Sequence, residues 1–204
     1  VGSARALPGS NVHPIGAGKY TAPVAKMGDA VTVFLPECQP AAPVRAAISA
    51  CGRYRYTLAR QWRPLRRDET PVLWIMLNPS IADADVDDPT IRRCRAFSER
   101  WGRGAMEVVN LFALRATNPK ALALAEDPVG PDNDMYIDAA VDRCALIVAA
   151  WGTRGQLIGR DDAVLRRLAL LSRVPRCLGV TKDGHPRHPL YVHGERDLEW
   201  MPVR

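Results

Sequence analysis

Apolar residues along this chain gather into short continuous runs that polar and glycine-rich segments separate. The clearest run covers residues 72–77, V-L-W-I-M-L, and stops abruptly at Asn78-Pro79-Ser80. A run of this length with β-branched and aromatic members is typical of a strand buried on both faces. Pro79 cannot donate to a sheet ladder, so the pattern predicts a strand that ends with the Asn78 amide at its carboxyl end.

Comparable patterns predict further core strands, one edge strand and three helices. The first helix opens at Asp87-Asp88-Pro89-Thr90, with an Asp cap and Pro at the first helical position, and ends before Gly102 and Gly104. The other predicted elements are core strands over 106–109, 145–150 and 176–180, an edge strand over 54–58, and helices over 132–144 and 161–173.

Strands that are fully apolar and alternate with helices predict an α/β fold. We expect a three-layer α/β/α sandwich around a central, mostly parallel sheet of four strands. The carboxyl ends of the four strands then lie on one side, where they bring together Asn78, Asn110, Trp151-Gly152 and the loop 181–189. Open α/β sheets bind their ligands at this edge.

The first part of the chain differs in composition from the rest. Residues 1–45 are rich in Pro, Gly and Ala, and we expect a partly ordered arm with one strand-like island over 30–35, ahead of an α/β domain over 46–204. No apolar stretch approaches the ~20 residues that a membrane helix needs, and no signal peptide is recognisable. The sequence therefore predicts a cytoplasmic protein without a membrane partner, and we expect a monomer.

The chain is basic, with a net charge of +6, and Arg greatly outnumbers Lys. Genomic base composition accounts for such a ratio, but a polyanion partner does so too, because cations that neutralise phosphates release counterions. Six arginines between 53 and 67 lie in a stretch without an acidic residue. The five cysteines contain no C-x-x-C pair, which argues against a metal site or a disulfide framework and favours buried, reduced thiols.

Three groups of polar residues are candidates for chemistry. Asn78 and Asn110 follow two strands, where an amide caps a turn, holds a water or reads a pyrimidine edge. His185 and His188 share one loop, where they bind a metal, donate to a developing anion or are simply solvated. The acidic cluster at 83, 85, 87 and 88 suits Mg²⁺, helix capping or solvation. No Walker loop, G-x-S-x-G or G-x-G-x-x-G motif is present, and we expect neither a cofactor nor a metal.

Four blocks in order resemble the motifs of the uracil-DNA glycosylase superfamily. M-L-N-P-S at 76–80 is similar to its first motif, which reads G-Q-D-P-Y-H in the main branch and G-I-N-P-G in the mismatch-specific branch. V-V-N-L at 108–111 resembles the strand that ends in the base-reading Asn. The other two blocks are L-I-V-A-A-W-G at 146–152, which continues to Gln156, and H-P-L at 188–190, similar to the H-P-S-P-L loop.

The chain resembles still more closely a bacterial and phage family of domains of unknown function within or near this superfamily. The shared blocks are C-G-x-Y-R-Y-T-L, M-L-N-P-S-x-A-D, D-D-P-T-I-R-R-C, N-L-F-A-x-R-A-T, D-P-V-G-P-x-N-D and P-R-H-P-L-Y. The resemblance implies a uracil-DNA glycosylase-like fold and DNA as partner, either double-stranded with a flipped base or single-stranded.

Site roles follow from the resemblance block by block. Asn78 would orient the attacking water with Asp83 as assistant, and His188 would stabilise the leaving base. Ser80, which replaces a Tyr that bars groups on pyrimidine C5, would contribute to an open substrate pocket. The remaining assignments are Ile81, Asn110 and Phe112 to the base, Arg115, Lys182 and Arg187 to phosphates, and Leu190 or Tyr191 to the wedge that enters the base stack.

Together these features predict a DNA glycosylase. It would hydrolyse the N-glycosidic bond of a flipped-out, 5-substituted or otherwise modified pyrimidine and leave an abasic site, in base excision or in defence against phage. Two alternatives stay open. One is a protein that only binds modified DNA, and the other is an enzyme of base hypermodification or nucleoside processing on the same fold.

Overall fold

The computed structural model describes residues 45–80 and 87–202. Most of the predicted N-terminal arm, including its strand-like island at 30–35, lies outside these ranges, and so do Ile81 and Asp83. The boundary between arm and domain therefore stays a prediction.

The described chain is an α/β domain, as predicted. Its three helices are α1 (Pro89–Arg100), α2 (Asn133–Arg143) and α3 (Arg160–Leu170). Its seven strands are β1 (Ala46–Ile48), β2 (Arg55–Gln61), β3 (Val72–Met76), β4 (Ala105–Asn110), β5 (Leu146–Ala149), β6 (Arg176–Cys177) and β7 (Glu199–Trp200). Three short 3-10 segments cover Pro119–Leu124, Gly152–Gly159 and Pro189–Tyr191.

All seven strands belong to one mixed sheet, in the order β1-β2-β4-β3-β5-β6-β7. The pairs β4-β3, β3-β5 and β5-β6 are parallel, whereas the flanking pairs are antiparallel. The prediction of a four-stranded sheet is therefore wrong. The four expected core strands form its centre, but the added strands β1 and β7 have only three and two residues and show no alternation that could mark them.

The predicted edge strand is also placed wrongly. Strand β2 lies between β1 and β4, so both of its edges are paired. Its first five residues are buried, including the polar residues Arg55 and Thr57. Polar residues at alternate positions are typical of a half-exposed strand, which is why the sequence predicts an edge strand here. The alternation of residue types was real, but it did not correspond to alternating exposure.

Helices cover both faces of the sheet, because the inward residues of each helix complete one of two cores. Ile91, Cys94 and Phe97 of α1 pack on the face that carries Trp74. Residues of α2 and α3, including Ile137 and Leu168, pack on the other face, with Leu73 and Ile75 of β3. Alternate residues of the fully buried strand β3 thus serve opposite cores, as its unbroken apolar run predicts.

Capping fixes the start of α1 at the residue that the sequence indicates. The Asp88 carboxylate accepts from the backbone N–H of Ile91 at 2.8 Å, and Pro89 follows at the first helical position. Such a cap stabilises a helix by about 1 kcal/mol. The helix thereby begins beside the carboxyl end of the central strands.

The cysteines of the described part are free thiols, in agreement with the sequence prediction. Cys94, Cys144 and Cys177 are buried, whereas Cys51 is exposed. Burial raises the pKa of the Cys144 thiol to about 12, so this group is a protonated core side chain. No helix among the described residues has both the length and the apolar character to cross a membrane.

Candidate active site

A cavity of about 440 Å³ opens at the carboxyl edge of the parallel strands. The parallel register places Met76 of β3 beside Asn110 of β4, and Ile75 beside Ala149 of β5. The segments that follow these strands therefore meet, and the loop around His188 completes the wall. The predicted convergence of strand ends is confirmed. Of the predicted site residues, the cavity is lined by Asn78, Ser80, Asn110, Arg187, His188 and Tyr191.

Asn110 presents a buried amide to this cavity. The residue is only 2% exposed, and among the described residues no hydrogen-bond partner reaches its side chain. Its backbone is held in place: the Asn133 amide of α2 donates to the carbonyls of Asn110 and Leu111, both at 3.0 Å. Because the amide lines the cavity and keeps both its donor and its acceptor available, it is suited to a ligand that offers both an acceptor and a donor.

Asn78 follows the end of β3, and its side-chain amide, unlike that of Asn110, is hydrogen-bonded to the protein backbone. Its Nδ2 donates to the carbonyls of Pro79 at 3.1 Å and of Ala116 at 2.8 Å. Because both partners are carbonyl oxygens, the nitrogen must face them, and Oδ1 is left as the acceptor on the cavity side. Asn78 can therefore hold a water through a fixed acceptor, but an amide cannot take a proton from it.

Ser80 and Asp88 form a hydrogen-bonded pair in the cavity wall. The Ser80 hydroxyl donates to Oδ2 of Asp88 at 2.8 Å, while Oδ1 of Asp88 caps α1. Both residues line the cavity. The cap role predicted for the acidic cluster thus accounts for one carboxylate oxygen, and the other oxygen belongs to the site.

His188 contributes a neutral imidazole. Its Nδ1 accepts from the backbone N–H of Leu190 at 3.3 Å, so the ring proton resides on Nε2. Burial lowers the pKa of His188 from its ordinary value, and the nearby charge of Asp88 partly opposes that shift. The ring lies 5.5 Å from that of Tyr191, which is 80% exposed at the rim. The site therefore holds an N–H donor that stays uncharged near neutral pH.

The remaining charges of the wall are basic. Arg55 reaches the cavity from β2 although it is 4% exposed, and burial lowers its pKa to about 10 while Asp88 opposes the shift. Arg154 and Arg187 are exposed at the mouth, where no acidic side chain of the described ranges pairs with either. The mouth is thus suited to an anionic ligand such as a phosphate backbone.

The part of the wall that follows β5 depends on glycines. Gly152 has a φ of +73°, and a Cβ built there would lie 3.8 Å from Cβ of His188. Its N–H donates to the carbonyl of Pro186 at 2.9 Å, which ties the β5 loop to the His188 loop. Gly155 lies under the Trp151 indole, which is 2% exposed and lines the cavity.

Four predicted site residues are placed elsewhere. Phe112 has no exposed surface and packs in the core with α2 and α3, so the prediction that it stacks on a base is wrong. Arg115 binds the carbonyl of Gly52 at 3.1 Å and does not line the cavity. Lys182 and Leu190 are exposed near the cavity but do not line it, so their DNA contacts stay predictions.

The alternative metal sites find no support in the described residues. His188 faces the cavity, but His185 is buried with its Nδ1 3.6 Å from Oδ2 of Asp161. Asp87 pairs with Arg60 at 2.8 Å, and Asp88 is the helix cap. Within the described ranges no group of three or more His, Cys, Asp or Glu side chains is placed to hold an ion.

Sequence reasoning missed Arg55, Asp88 as a wall residue and Arg154, and it placed Trp151 at the strand ends without giving it a role. Arg55 sits at the position of a polar residue in an alternating strand, which normally indicates exposure. Asp88 carries a strong cap signature that fully explains it from the sequence alone. The available signal was adjacency to the strand ends, because the segment that follows β5 contributes Trp151 and Arg154 directly.

Comparison with known proteins places the chain in a family. Residues 55–190, two thirds of the chain, match the family described as Protein of unknown function (DUF1643), and the protein belongs to it. The matched range includes every described residue that lines the cavity except Tyr191. No curated protein matches the chain, and no solved structure does.

Proposed function

We propose that this protein is a monofunctional DNA glycosylase that removes a modified pyrimidine from DNA. The observation that carries the proposal is the buried, unpartnered amide of Asn110 in a cavity that also holds Asn78 and His188. These three residues lie in three of the four blocks at which the sequence resembles the uracil-DNA glycosylase superfamily. The resemblance and the cavity are independent supports, since one comes from motifs and the other from geometry.

Base recognition is the role proposed for Asn110. A pyrimidine edge carries adjacent donor and acceptor groups, and an amide matches them with two hydrogen bonds. The target nucleotide must leave the duplex stack to reach the cavity, at a cost of roughly a few kcal/mol. Tyr191 at the rim, or Leu190 beside it, is suited to fill the gap that the flipped base leaves.

Leaving-group stabilisation is the role proposed for His188. When the bond between C1′ of the sugar and the base nitrogen breaks, negative charge develops on the base. The Nε2–H of His188 is the donor suited to that charge, because Nδ1 already accepts from Leu190. Donors aimed at a developing anion are each worth ~10²–10³ in rate.

Water positioning is the role proposed for Asn78. Positive charge develops on the sugar as the base departs, so the water needs orientation more than activation. The free Oδ1 supplies one acceptor at a fixed place, since two carbonyls hold the amide nitrogen.

The size of the cavity favours a substituted base. A volume of 440 Å³ has room for ~15 water-sized groups, more than an unsubstituted pyrimidine ring fills. Ser80 adds to this space, because it replaces a side chain that is bulky in the main branch of the resembled superfamily. We therefore propose 5-substituted or otherwise modified pyrimidines, such as those of phage DNA, as substrates.

The test is a survey of abasic-site formation. Purified protein is incubated with unmodified, uracil-containing and phage-modified DNA, and abasic sites are scored by strand cleavage under alkali. The proposal predicts abasic sites in at least one modified DNA and their loss in Asn78→Ala and His188→Ala. Tight binding without abasic sites would instead support the DNA-binding alternative, and turnover of free nucleosides alone would support the nucleoside-processing alternative.

A further inference from the structure

Asp88 is the one acidic side chain that lines the cavity among the described residues. Hydrolysis releases a proton from the attacking water, and some group must accept it. Asn78 cannot, because an amide has no basic site at neutral pH. The wall therefore contains a proton acceptor that the proposed roles have left unused.

The geometry of Asp88 is fixed by two elements. The N–H of Ile91 donates to Oδ1 and the Ser80 hydroxyl donates to Oδ2, both at 2.8 Å. Because the Ser80 proton points to the carboxylate, the lone pairs of Oγ are free to accept from a water in the cavity. Water, Ser80 and Asp88 can thus form one chain of hydrogen bonds in a single direction.

The titratable groups around Asp88 come from three parts of the fold. Arg55 approaches from β2, His188 from the loop before the last 3-10 segment, and the Cys94 thiol from within α1. Arg55 supplies a positive charge that compensates the carboxylate. His188, neutral in the folded protein, supplies none until it is protonated.

We infer that Asp88 accepts the proton of the attacking water through the Ser80 hydroxyl, an inference that rests on the proposed glycosylase function. The water oxygen bonds to C1′ as the C1′–N bond breaks, and the electron pair of that bond leaves with the base. One water proton passes to Oγ of Ser80 while the Ser80 proton passes to Oδ2 of Asp88. The departed base then takes a proton from solvent, and Asp88 returns its proton to solvent.

The experiment measures single-turnover base release across pH for wild type, Asp88→Asn, Ser80→Ala and a control. Asn caps helices as well as Asp does, so Asp88→Asn keeps α1 but removes the proton acceptor. Asp127→Asn is the matched control, because its Oδ1 also accepts a backbone N–H, from Gly130 at 2.9 Å, outside the cavity. DNA affinity and thermal unfolding of each variant report on its fold.

At neutral pH, Asp88→Asn should release base ~10²-fold or more slower than wild type, which is the usual contribution of a general base. The wild-type rate should rise with pH, whereas the rate of Asp88→Asn should not, because the variant has no carboxylate to accept the proton. Ser80→Ala should be slowed as well, and Asp127→Asn should match wild type. A merely structural role would lower the rate equally at every pH. Such parallel profiles, or an Asp88→Asn variant as fast as wild type, would overturn this inference but not the proposed function. A wild type that releases no base from any DNA would overturn the proposed function, and the inference would fall with it.

Discussion

At the scale of single residues, Asn78 and Asn110 lie at corresponding strand ends but have different hydrogen-bonding environments, and we propose a different role for each. The Asn78 amide nitrogen is tied to two carbonyls, which leaves one fixed acceptor. The Asn110 amide has no such ties and is almost fully buried, which leaves a donor and an acceptor together. A residue that offers one acceptor suits a water, and a residue that offers both suits a base edge. Environment, not residue type, separates the two roles.

His188→Ala should reduce base release by ~10²–10³-fold, because it removes the only N–H proposed for the leaving anion. His193→Ala is the control: its Nδ1 also accepts the N–H two residues ahead, from Glu195 at 3.4 Å, but it is exposed and outside the cavity. Single-turnover rates on one substrate compare the two. Equal losses in both variants would remove His188 from the mechanism.

The lowered pKa of His188 also has a consequence for stability. Burial disfavours protonation in the folded state, so the unfolded chain binds more protons at this residue once the pH falls below the ordinary value of 6.5. The free energy of unfolding of the wild type should therefore drop between about pH 7 and about pH 5, and the drop should be smaller in His188→Ala. Urea unfolding at both pH values measures this difference, and an equal or larger drop in the variant would contradict it.

The residues that the sequence could place were those with a strand-end signal. Asn78 and Asn110 directly follow apolar runs, and parallel strands must bring their ends together. Arg55 could not be found this way, because nothing in an alternating Y-R-Y-T pattern says that the arginine is buried. Phe112 was misplaced for the opposite reason: it follows Asn110 closely in sequence, but its ring turns into the core.

At the scale of elements, patterning identified the helices and five of the seven strands, including the two-residue β6, but not β1 and β7. Strand β3 is marked by an unbroken apolar run and α1 by its cap and proline. Strands β1 and β7 are too short for any period, and only pairing with a neighbour defines them. The position of β2 inside the sheet follows from that pairing and could not be predicted from its own residues.

The 3-10 segment after β5 is the element whose packing shapes the cavity wall. A Cβ at Gly155 would lie 2.2 Å from Cδ1 of Trp151 and 3.0 Å from Cδ1 of Leu111, and both side chains are buried. Gly155→Ala should therefore displace the indole, destabilise the fold by about 1–3 kcal/mol, and slow base release. Denaturant unfolding and single-turnover rates measure these effects.

Gly194→Ala is the matched control for this substitution. Its added Cβ would lie 3.2 Å from Nη1 of Arg93, which has to shift by only a few tenths of an ångström. Nε and Nη2 of Arg93 hold the carbonyls of Pro189 and Val192, and Nη1 takes no part in these bonds. We expect almost no change in stability or rate. If Gly155→Ala also left stability and rate unchanged, the Trp151 side chain would adjust to the added methyl group more easily than this packing implies.

At the scale of the whole molecule, the positive charge is not arranged as the sequence suggested. The arginine-rich stretch 53–67 divides among several environments instead of forming one basic face. Arg55 is buried in the cavity wall, while Arg60 and Arg63 pair with Asp87 and Glu69, each at 2.8 Å. The basic groups best placed for a polyanion are instead Arg154 and Arg187 at the cavity mouth.

Removing either mouth arginine should weaken DNA binding and its salt dependence. The slope of log K against log salt should become shallower by about 0.9 for each phosphate that is no longer neutralised in duplex DNA, or by about 0.7 in single strands. Arg95→Ala is the control, since this half-buried residue of α1 pairs with Glu99 at 2.9 Å and does not line the cavity. Unchanged slopes in Arg154→Ala and Arg187→Ala would place the phosphate path elsewhere.

The most direct test of the central claim is identification of the released product by mass spectrometry. Modified DNA is incubated with wild type and with His188→Ala, and small molecules are separated from the polymer. The account predicts one intact pyrimidine base for each abasic site formed by the wild type, and almost none from the variant. A base altered in place within intact DNA, with no free base in solution, would contradict it.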